Sequence, residues 1–439
     1  MQIASINEQR RKVMMIDSKS FYASCECAAR GLNPLTTMLV VMSRQENTNG
    51  GLVLAASPRA KKELGISNVT RSRDVPDDPR LLIVEPRMNY YIAMNKQVND
   101  LFREFVAEED LHLYSIDESL LDLTPSWTYL RFKYGQSLTM TDLARIIQLA
   151  AKKRFGLYLT VGIGDNPTMA KLALDIEAKH NRTLIGEWHY ENVPHKLWPL
   201  NELSQVWSIG KKTAKKLNRL GILSMEDLAL YNPYKLVEKF GVRGGELIAL
   251  AWGVDRSVVA KRYHTKAASI SNSQVLPRDY NRPAEIKNVI REIGEQIAAR
   301  LRGQHKEAGL LSLYLGTSMH EQAAGFHANI KLDVTNQSDK IVAALYELFD
   351  VHYEGQTIRH IGVGAGKLQP DGHTQLDLFT DPEIDVKKQM LDQVVDQIRH
   401  KFGTTALVKS SSLALGGTMI QRAGLVGGHS GGNAYGVER

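Results

Sequence analysis

The sequence predicts an α+β protein of several domains, and three observations carry that expectation. The chain has 439 residues, against an average of about 150 per domain, which suggests roughly three units. Two separated stretches show apolar runs and helical periodicities in the order β-α-β-β-α-β, a split βαβ plan. Between them lies a shorter, helix-rich, basic stretch. An apolar fraction of 43% with 23% charged residues is enough to build a sizeable core, which excludes a mostly disordered, collagen-like or fibrous chain. No run approaches the ~18 apolar residues of a membrane span. Asp17 interrupts the basic opening MQIASINEQRRKVMMIDSK, so export is not expected. Cys25 and Cys27 can form neither a disulfide scaffold nor a four-ligand zinc site, have no ligand cluster nearby, and read as buried small hydrophobes of a cytosolic protein.

Taken in order, VMMID (13–17) is a short buried strand ending in a carboxylate, followed by a helix over 21–29 that Gly31 and Pro34 stop. LVVM, a polar turn, LVLAA and a basic helix form an insertion before the Pro/Asp connector DVPDDPR. LLIVEP is a strand, and Ile92, Val98, Leu101, Phe102 and Phe105 mark a helix. The alternation in LHLYSIDESLLDLT predicts two strands flanking a tight bend, with Tyr114, Ile116, Leu120 and Leu121 as buried flanks. A helix over 141–155 ends at Gly156, LYLTVGIG is a strand, and Asn166-Pro167 opens another helix.

A helical region runs from about 187 to 255, where VWSIGKKTAKKLNRLGI reads as helix, glycine turn, helix. The split plan then repeats: strand 269–276, helix 283–303, strands 309–316 and 326–334, helix 337–352, strand 357–367. The stripe Ile286, Val289, Ile290, Ile293, Ile297, Leu301 is core. A linker, an amphipathic helix over 382–402 and a Gly-rich end, GGTMIQRAGLVGGHSGGNAYG, follow; the end is expected to be disordered because it buries too little apolar surface.

Lys and Arg number 55 against 48 Asp and Glu, a net +7 that favours a polyanionic partner. Three acids stand out: Asp17 at a strand end, and Asp117 with Glu118 at the bend of YSIDES. Phosphoryl transfer to a hydroxyl needs charge neutralised on both the attacking and leaving oxygens, which two Mg²⁺ ions held by three carboxylates can do. Adjacent strand residues point to opposite faces, so Asp117 and Glu118 share a site only where the strand turns.

MIDSKSFYASCE, YSIDES and TVGIGDNPTMAKLALDIEAK, in this order and spacing, closely resemble the palm motifs of Y-family translesion DNA polymerases. FYASCE and SISNSQVLPRDY fit the UmuC-like branch best, and the resemblance covers roughly residues 12–370. It implies a right-hand polymerase with a ferredoxin-like palm (1–30 and 75–186), small fingers (31–74), a helical thumb with a helix-hairpin-helix (187–258), a βαββαβ little finger (265–368) and a C-terminal tail (369–439). It implies a template-directed, low-fidelity DNA polymerase of the SOS-type damage response, without proofreading. By the same resemblance Asp17, Asp117 and Glu118 are the catalytic ligands of two Mg²⁺ ions, with the Ser18 carbonyl as a further ligand. Tyr22 matches the steric gate against a 2′-hydroxyl, and Phe21, beside it, borders the nucleotide while suiting the palm interior. Lys179 matches the triphosphate lysine, Lys171 a helix lysine nearby, and Lys62 stands where a triphosphate-binding Arg or Lys usually lies. Arg59 replaces a tyrosine of many relatives and can still bind phosphate.

The turn at Gly210 with Lys211, Lys212, Lys215 and Lys216 looks like a helix-hairpin-helix that offers amides and ammonium groups to DNA phosphates. Gln375, Leu376, Leu378 and Phe379, in QLDLF, resemble the peptide by which bacterial polymerases dock on the sliding clamp. The implied partners are primer-template DNA, dNTP and the clamp, with an accessory subunit or a recombinase filament left open, no membrane, and a bacterial cytoplasmic setting. Two other classes stay in view: a palm-type nucleotide cyclase, which shares two-metal chemistry, and a non-catalytic DNA- or clamp-binding module, which would not require the acidic trio.

Overall fold

A computed structural model describes residues 8–45, 50–261, 268–319, 321–372 and 382–431, with 382–385 as helix backbone alone. The QLDLF peptide lies outside the described residues.

The first unit is built on β1 (Val13–Ser18), the middle strand of a five-stranded sheet. Helix α1 (Phe21–Ala29) follows directly. Next come β2 (Leu39–Ser43), β3 (Leu52–Ala56), α2 (Pro58–Leu64) and β4 (Leu82–Val84). After them stand α3 (Met88–Phe102), β5 (Leu111–Leu113), β6 (Glu118–Asp122), α4 (Trp127–Tyr134) and α5 (Met140–Phe155). The unit closes with β7 (Leu159–Gly164), α6 (Pro167–Leu172) and β8 (Ile185–Trp188). The sheet order is β5-β6-β1-β7-β8, with β1 antiparallel to both neighbours.

Both faces of β1 are covered, and its side chains sort by parity. Met14 and Ile16 enter the large core made with α1, α3 and α5, while Val13 and Met15 meet Ala170, Leu174 and Ala178 on the other face. Local chemistry sets the ends. Thr139 and Asp142 form a reciprocal capping box at the start of α5, and Gly156 ends it at φ +70. Asn166 caps α6 through Met169 N–H, with Pro167 at its first position. Beyond α6 the helix continues as a π-turn over 173–177.

The β4 strand does not join this sheet. It pairs parallel with β2, giving a separate three-stranded sheet ordered β3-β2-β4. The small inserted unit therefore extends past residue 74, the end the motifs suggested, because the 82–84 backbone finds its partner in β2.

The second unit holds α7 (Lys211–Asn218), α8 (Met225–Leu230), α9 (Pro233–Phe240) and α10 (Val242–Ala251) around its own core. Where a full helix is expected before the glycine turn, only a 3-10 turn over Leu203–Gln205 stands; α7 alone is a full helix of that hairpin.

The third unit is a four-stranded antiparallel sheet, β11-β10-β12-β9, formed by β9 (Ile270–Tyr280), β10 (Lys306–Thr317), β11 (Phe326–Thr335) and β12 (Ile358–Pro370). Helices α11 (Pro283–Gly303) and α12 (Ser338–His352) cover one face, and the expected stripe from Ile286 to Leu301 is buried. Helix α13 (Pro382–Phe402) follows. The Gly-rich end departs from expectation. Helix α14 (Met419–Arg422) and a two-stranded ribbon of β13 (Leu425–Val426) and β14 (His429–Ser430) lie within it. Polar contacts to α11 and β9, together with the buried Met419, hold this segment.

Candidate active site

The parity that buries Val13 and Met15 against α6 carries Asp17 to the same face. Asp17 is the register partner of Glu118 on β6 and of Thr160 on β7, so Glu118, Asp17 and Thr160 form a row across three strands. Asp117 ends the bend beside this row, where its carbonyl accepts Ser18 N–H at 2.9 Å. Ser18 itself is buried. Tyr114, expected as a buried flank, is 44% exposed and its hydroxyl accepts the Trp207 indole N–H at 3.2 Å.

What lies over the row is set by glycine. A Cβ on Gly162 would stand 2.1 Å from the Ala170 carbonyl oxygen, and one on Gly164 2.3 Å from Ala170 N. Without those carbons α6 and its π-turn press onto β7 and present Lys171, Asp175 and Lys179 to the acids. Lys171 Nζ donates to Glu118 at 2.6 Å, and Lys179 Nζ lies 2.8 Å from Asp175, 3.2 Å from Asp17 and 3.6 Å from Glu118. Burial raises the Asp17 carboxyl to about 6; Lys179 opposes that, and the negative charges of Asp117 and Glu118 add to it. Burial works against the Lys179 charge, yet Asp17 and Asp175 outweigh it and hold this ammonium above its ordinary range.

The donor chemistry fits a divalent ion: carboxylates at paired strand ends, with Asp17 and Glu118 already converging on one cation, the Lys179 ammonium. The third carboxylate has a local partner, since Asp117 Oδ1 accepts the Ser115 hydroxyl at 2.8 Å. As they lie, no three His, Cys, Asp or Glu side chains among the described residues share reach of a single ion. The Thr160 hydroxyl in the same row is buried with no hydrogen-bond partner among the described residues.

A cleft of about 610 Å³ opens over Asp17 and Asp117, lined also by Tyr22, Lys61, Thr160 and Lys179. Tyr22 is half-buried and stacks on Tyr91, with ring centroids 4.5 Å apart at 15°. Behind that pair Glu26, fully buried, accepts the Tyr91 hydroxyl at 2.9 Å and both arms of Arg87 at 2.9 and 3.0 Å, and pairs with Arg30. Phe21 is only 3% exposed; it packs in the core of the first unit and meets the cleft at its margin.

On α2 the structure puts Lys61, not Lys62, at the cleft. The helix starts at Pro58 behind the Ser57 cap. Pro58 and Lys61, three residues apart, share the inner face, whereas Lys62 points to solvent. Burial lowers the Lys61 pKa, and Asp17 partly restores it. Arg59 is turned away, with Nε on Glu63 at 2.7 Å and Nη1 on the Thr36 carbonyl at 2.8 Å. The helical phase from Ser57-Pro58 was the signal that could have singled out Lys61. In the second unit Gly210 is the N-cap residue of α7, and Lys211, Lys212, Lys215 and Lys216 are exposed, without a carboxylate partner among the described residues.

Comparison with known proteins agrees with this architecture. A Y-family DNA polymerase chimera of Dbh and Dpo4 superposes with a TM-score of 0.64 at 20% identity, covering 82% of this chain and all of its own, so the fold is that of a Y-family polymerase. Residues 16–175 match the impB/mucB/samB family, residues 267–378 the C-terminal domain of that family, and residues 190–222 the IMS family HHH motif. The protein named "Putative UV-damage repair protein UvrX" of Bacillus subtilis (strain 168) is 40% identical over 422 residues, 96% of this chain and 98% of its own length. DNA polymerase IV 2 of the same organism is 32% identical over 425 residues, covering 96% and 99%. DNA polymerase IV of Moorella thermoacetica is 29% identical over 414 residues, covering 93% and 97%. The chain belongs to the impB/mucB/samB family, the Y-family translesion DNA polymerases that its motifs resemble.

Proposed function

We propose that the chain is a template-directed DNA polymerase that extends primers across damaged template, and that the Asp17 cleft is where nucleotides are joined. The observation that carries this is the pairing of Asp17 with Glu118, and of the Ser18 amide with Asp117, at the floor of a cleft in a chain of this family.

Asp17, Asp117 and Glu118, with the Ser18 carbonyl, would hold divalent metal, two Mg²⁺ ions in our reading. Bound there, the ions would neutralise charge on the attacking 3′-oxygen and on the departing pyrophosphate. The rest of the work falls to the protein's own groups. Lys61 and Lys179 place ammonium groups at the cleft, suited to the triphosphate of an incoming dNTP. The Tyr22 ring, backed by Tyr91, closes the side where a ribose 2′-hydroxyl would sit. The lysines of α7 would hold primer-template phosphates without regard to sequence. The Gln375–Phe379 peptide would tether the enzyme to the sliding clamp in the bacterial cytoplasm. Among the described residues no helix is long and apolar enough to cross a membrane.

Asp117→Asn removes one metal-binding charge without changing side-chain shape. Primer extension with Mg²⁺ should fall on the order of 10³-fold, while primer-template binding measured by anisotropy stays within about twofold. Extension at the parental rate would overturn the assignment.

A further inference from the structure

The end of the chain is short of apolar residues and rich in glycine, yet residues 409–431 are docked at two ends. At the third unit, Glu292 of α11, 2% exposed, takes the amides of Thr418 and Met419 at 2.9 and 3.0 Å and the Thr418 hydroxyl at 3.0 Å. The carboxylate thus caps α14 from another helix. Asn288 Nδ2 donates to the Ser411 carbonyl at 2.6 Å, Arg291 to Ser412 Oγ at 2.9 Å, and the Tyr280 hydroxyl to the Gly416 carbonyl at 3.0 Å. Gly416 lies at φ +88 with room for no side chain, since a Cβ would stand 2.6 Å from that of Glu285.

The ribbon of β13 and β14 then crosses to the first unit. The Gly431 carbonyl accepts the amide of Asn89, in the first turn of α3, at 2.9 Å. His429 Nδ1 lies 3.0 Å from Ser43 Oγ on β2. One end is therefore held by hydrogen bonds to a buried carboxylate, while the Asn89 and His429 contacts at the other are between neutral groups, each weaker than a charge-assisted bond.

We propose that residues 409–431 are a strap that ties the third unit to the β2 sheet and α3, and that it preorganises the primer-template grip by limiting how far the third unit can swing. Its effect on DNA rests on the polymerase reading above; its mechanical part does not.

The test uses the full chain and two truncations, one after Gly403 and a milder one after Ala423 that leaves the α11 dock intact. Spin labels at Lys96 and Glu354 report the distance between the first and third units. The full chain should give one narrow distribution, and both truncations a broadened one reaching longer distances. The anisotropy Kd for primer-template should rise about fivefold or more on truncation. An unchanged distribution overturns the strap, and an unchanged or lower Kd overturns its part in gripping DNA. Failure of the full chain itself to bind primer-template would count against the polymerase reading, with the distance measurement still deciding the strap.

Discussion

One residue's parity decides what Asp17 meets. An acid one position earlier on β1 would enter the apolar core in place of Ile16; at 17 it faces Lys179 and Glu118 instead. The strand-end acid was plain in the sequence because VMMID is an apolar run closed by a carboxylate. The helical phase of α2 was harder to place, and a shift of one residue separates Lys61 at the cleft from Lys62 in solvent. Replacing Lys61 by Ala should raise KM for dNTP about tenfold or more, the loss of a charge-assisted phosphate contact, while Lys62→Ala stays near parental in the same steady-state assay. Equal effects of the two would show that α2 turns its other face to the nucleotide. Arg59 could not be assigned from sequence because its partner, the Thr36 carbonyl, is a backbone atom 23 residues away.

At the scale of elements, the fit of β7 to α6 is the most demanding contact in the molecule's first unit. Gly162 is not there to relieve a dihedral angle; it admits the Ala170 carbonyl and Leu174 amide to within the space of a methyl group. Gly162→Ala should destabilise by more than about 3 kcal/mol in urea unfolding followed by circular dichroism, because the colliding atoms are backbone and cannot rotate away. A loss under about 1 kcal/mol would mean that α6 lifts freely. Most elements of the first and third units were legible because caps and stops are local, as with Thr139 and Gly156 around α5. The helix expected before Gly210 was not, since that segment is held by burial of Leu203, Val206 and Ile209 and by short i→i+3 hydrogen bonds rather than an α-helical ladder. Asp117's orientation was also invisible, being set by a hydroxyl two residues away rather than by the strand pattern.

Across the whole molecule, the first and second units meet where the His189 imidazolium donates to Asp165 at 2.8 Å and to Glu187 at 3.2 Å, while Asn166 Nδ2 donates to the Gly253 carbonyl at 2.8 Å. Hydrogen bonding to Asp165, then to Glu187, raises the His189 imidazole to about 9. Because the folded value lies above an unfolded value near 6.5, this contribution is complete below about pH 6.5 and fades as pH climbs through about 9. Thermal unfolding between these limits should show stability falling with pH, a slope that His189→Gln reduces; an unchanged slope would exclude this imidazole as its source. The tail was the part of the molecule least legible in advance. Its composition argues for disorder, and the groups that order it come from distant stretches of chain: Glu292 of α11 accepts from Thr418 and Met419, Asn288 donates to the Ser411 carbonyl, and Gln274 of β9 accepts from Arg422.

Glu26 and Tyr22 sit on the same nine-residue helix, and Arg87 and Tyr91 share one neighbouring segment. These braces of the cleft's aromatic wall thus all come from α1 and the start of α3, within the first unit. Movement of the outer units relative to the first would leave those braces untouched, so under the proposed reading of Tyr22 a change in sugar choice and a change in hold on template need not accompany one another.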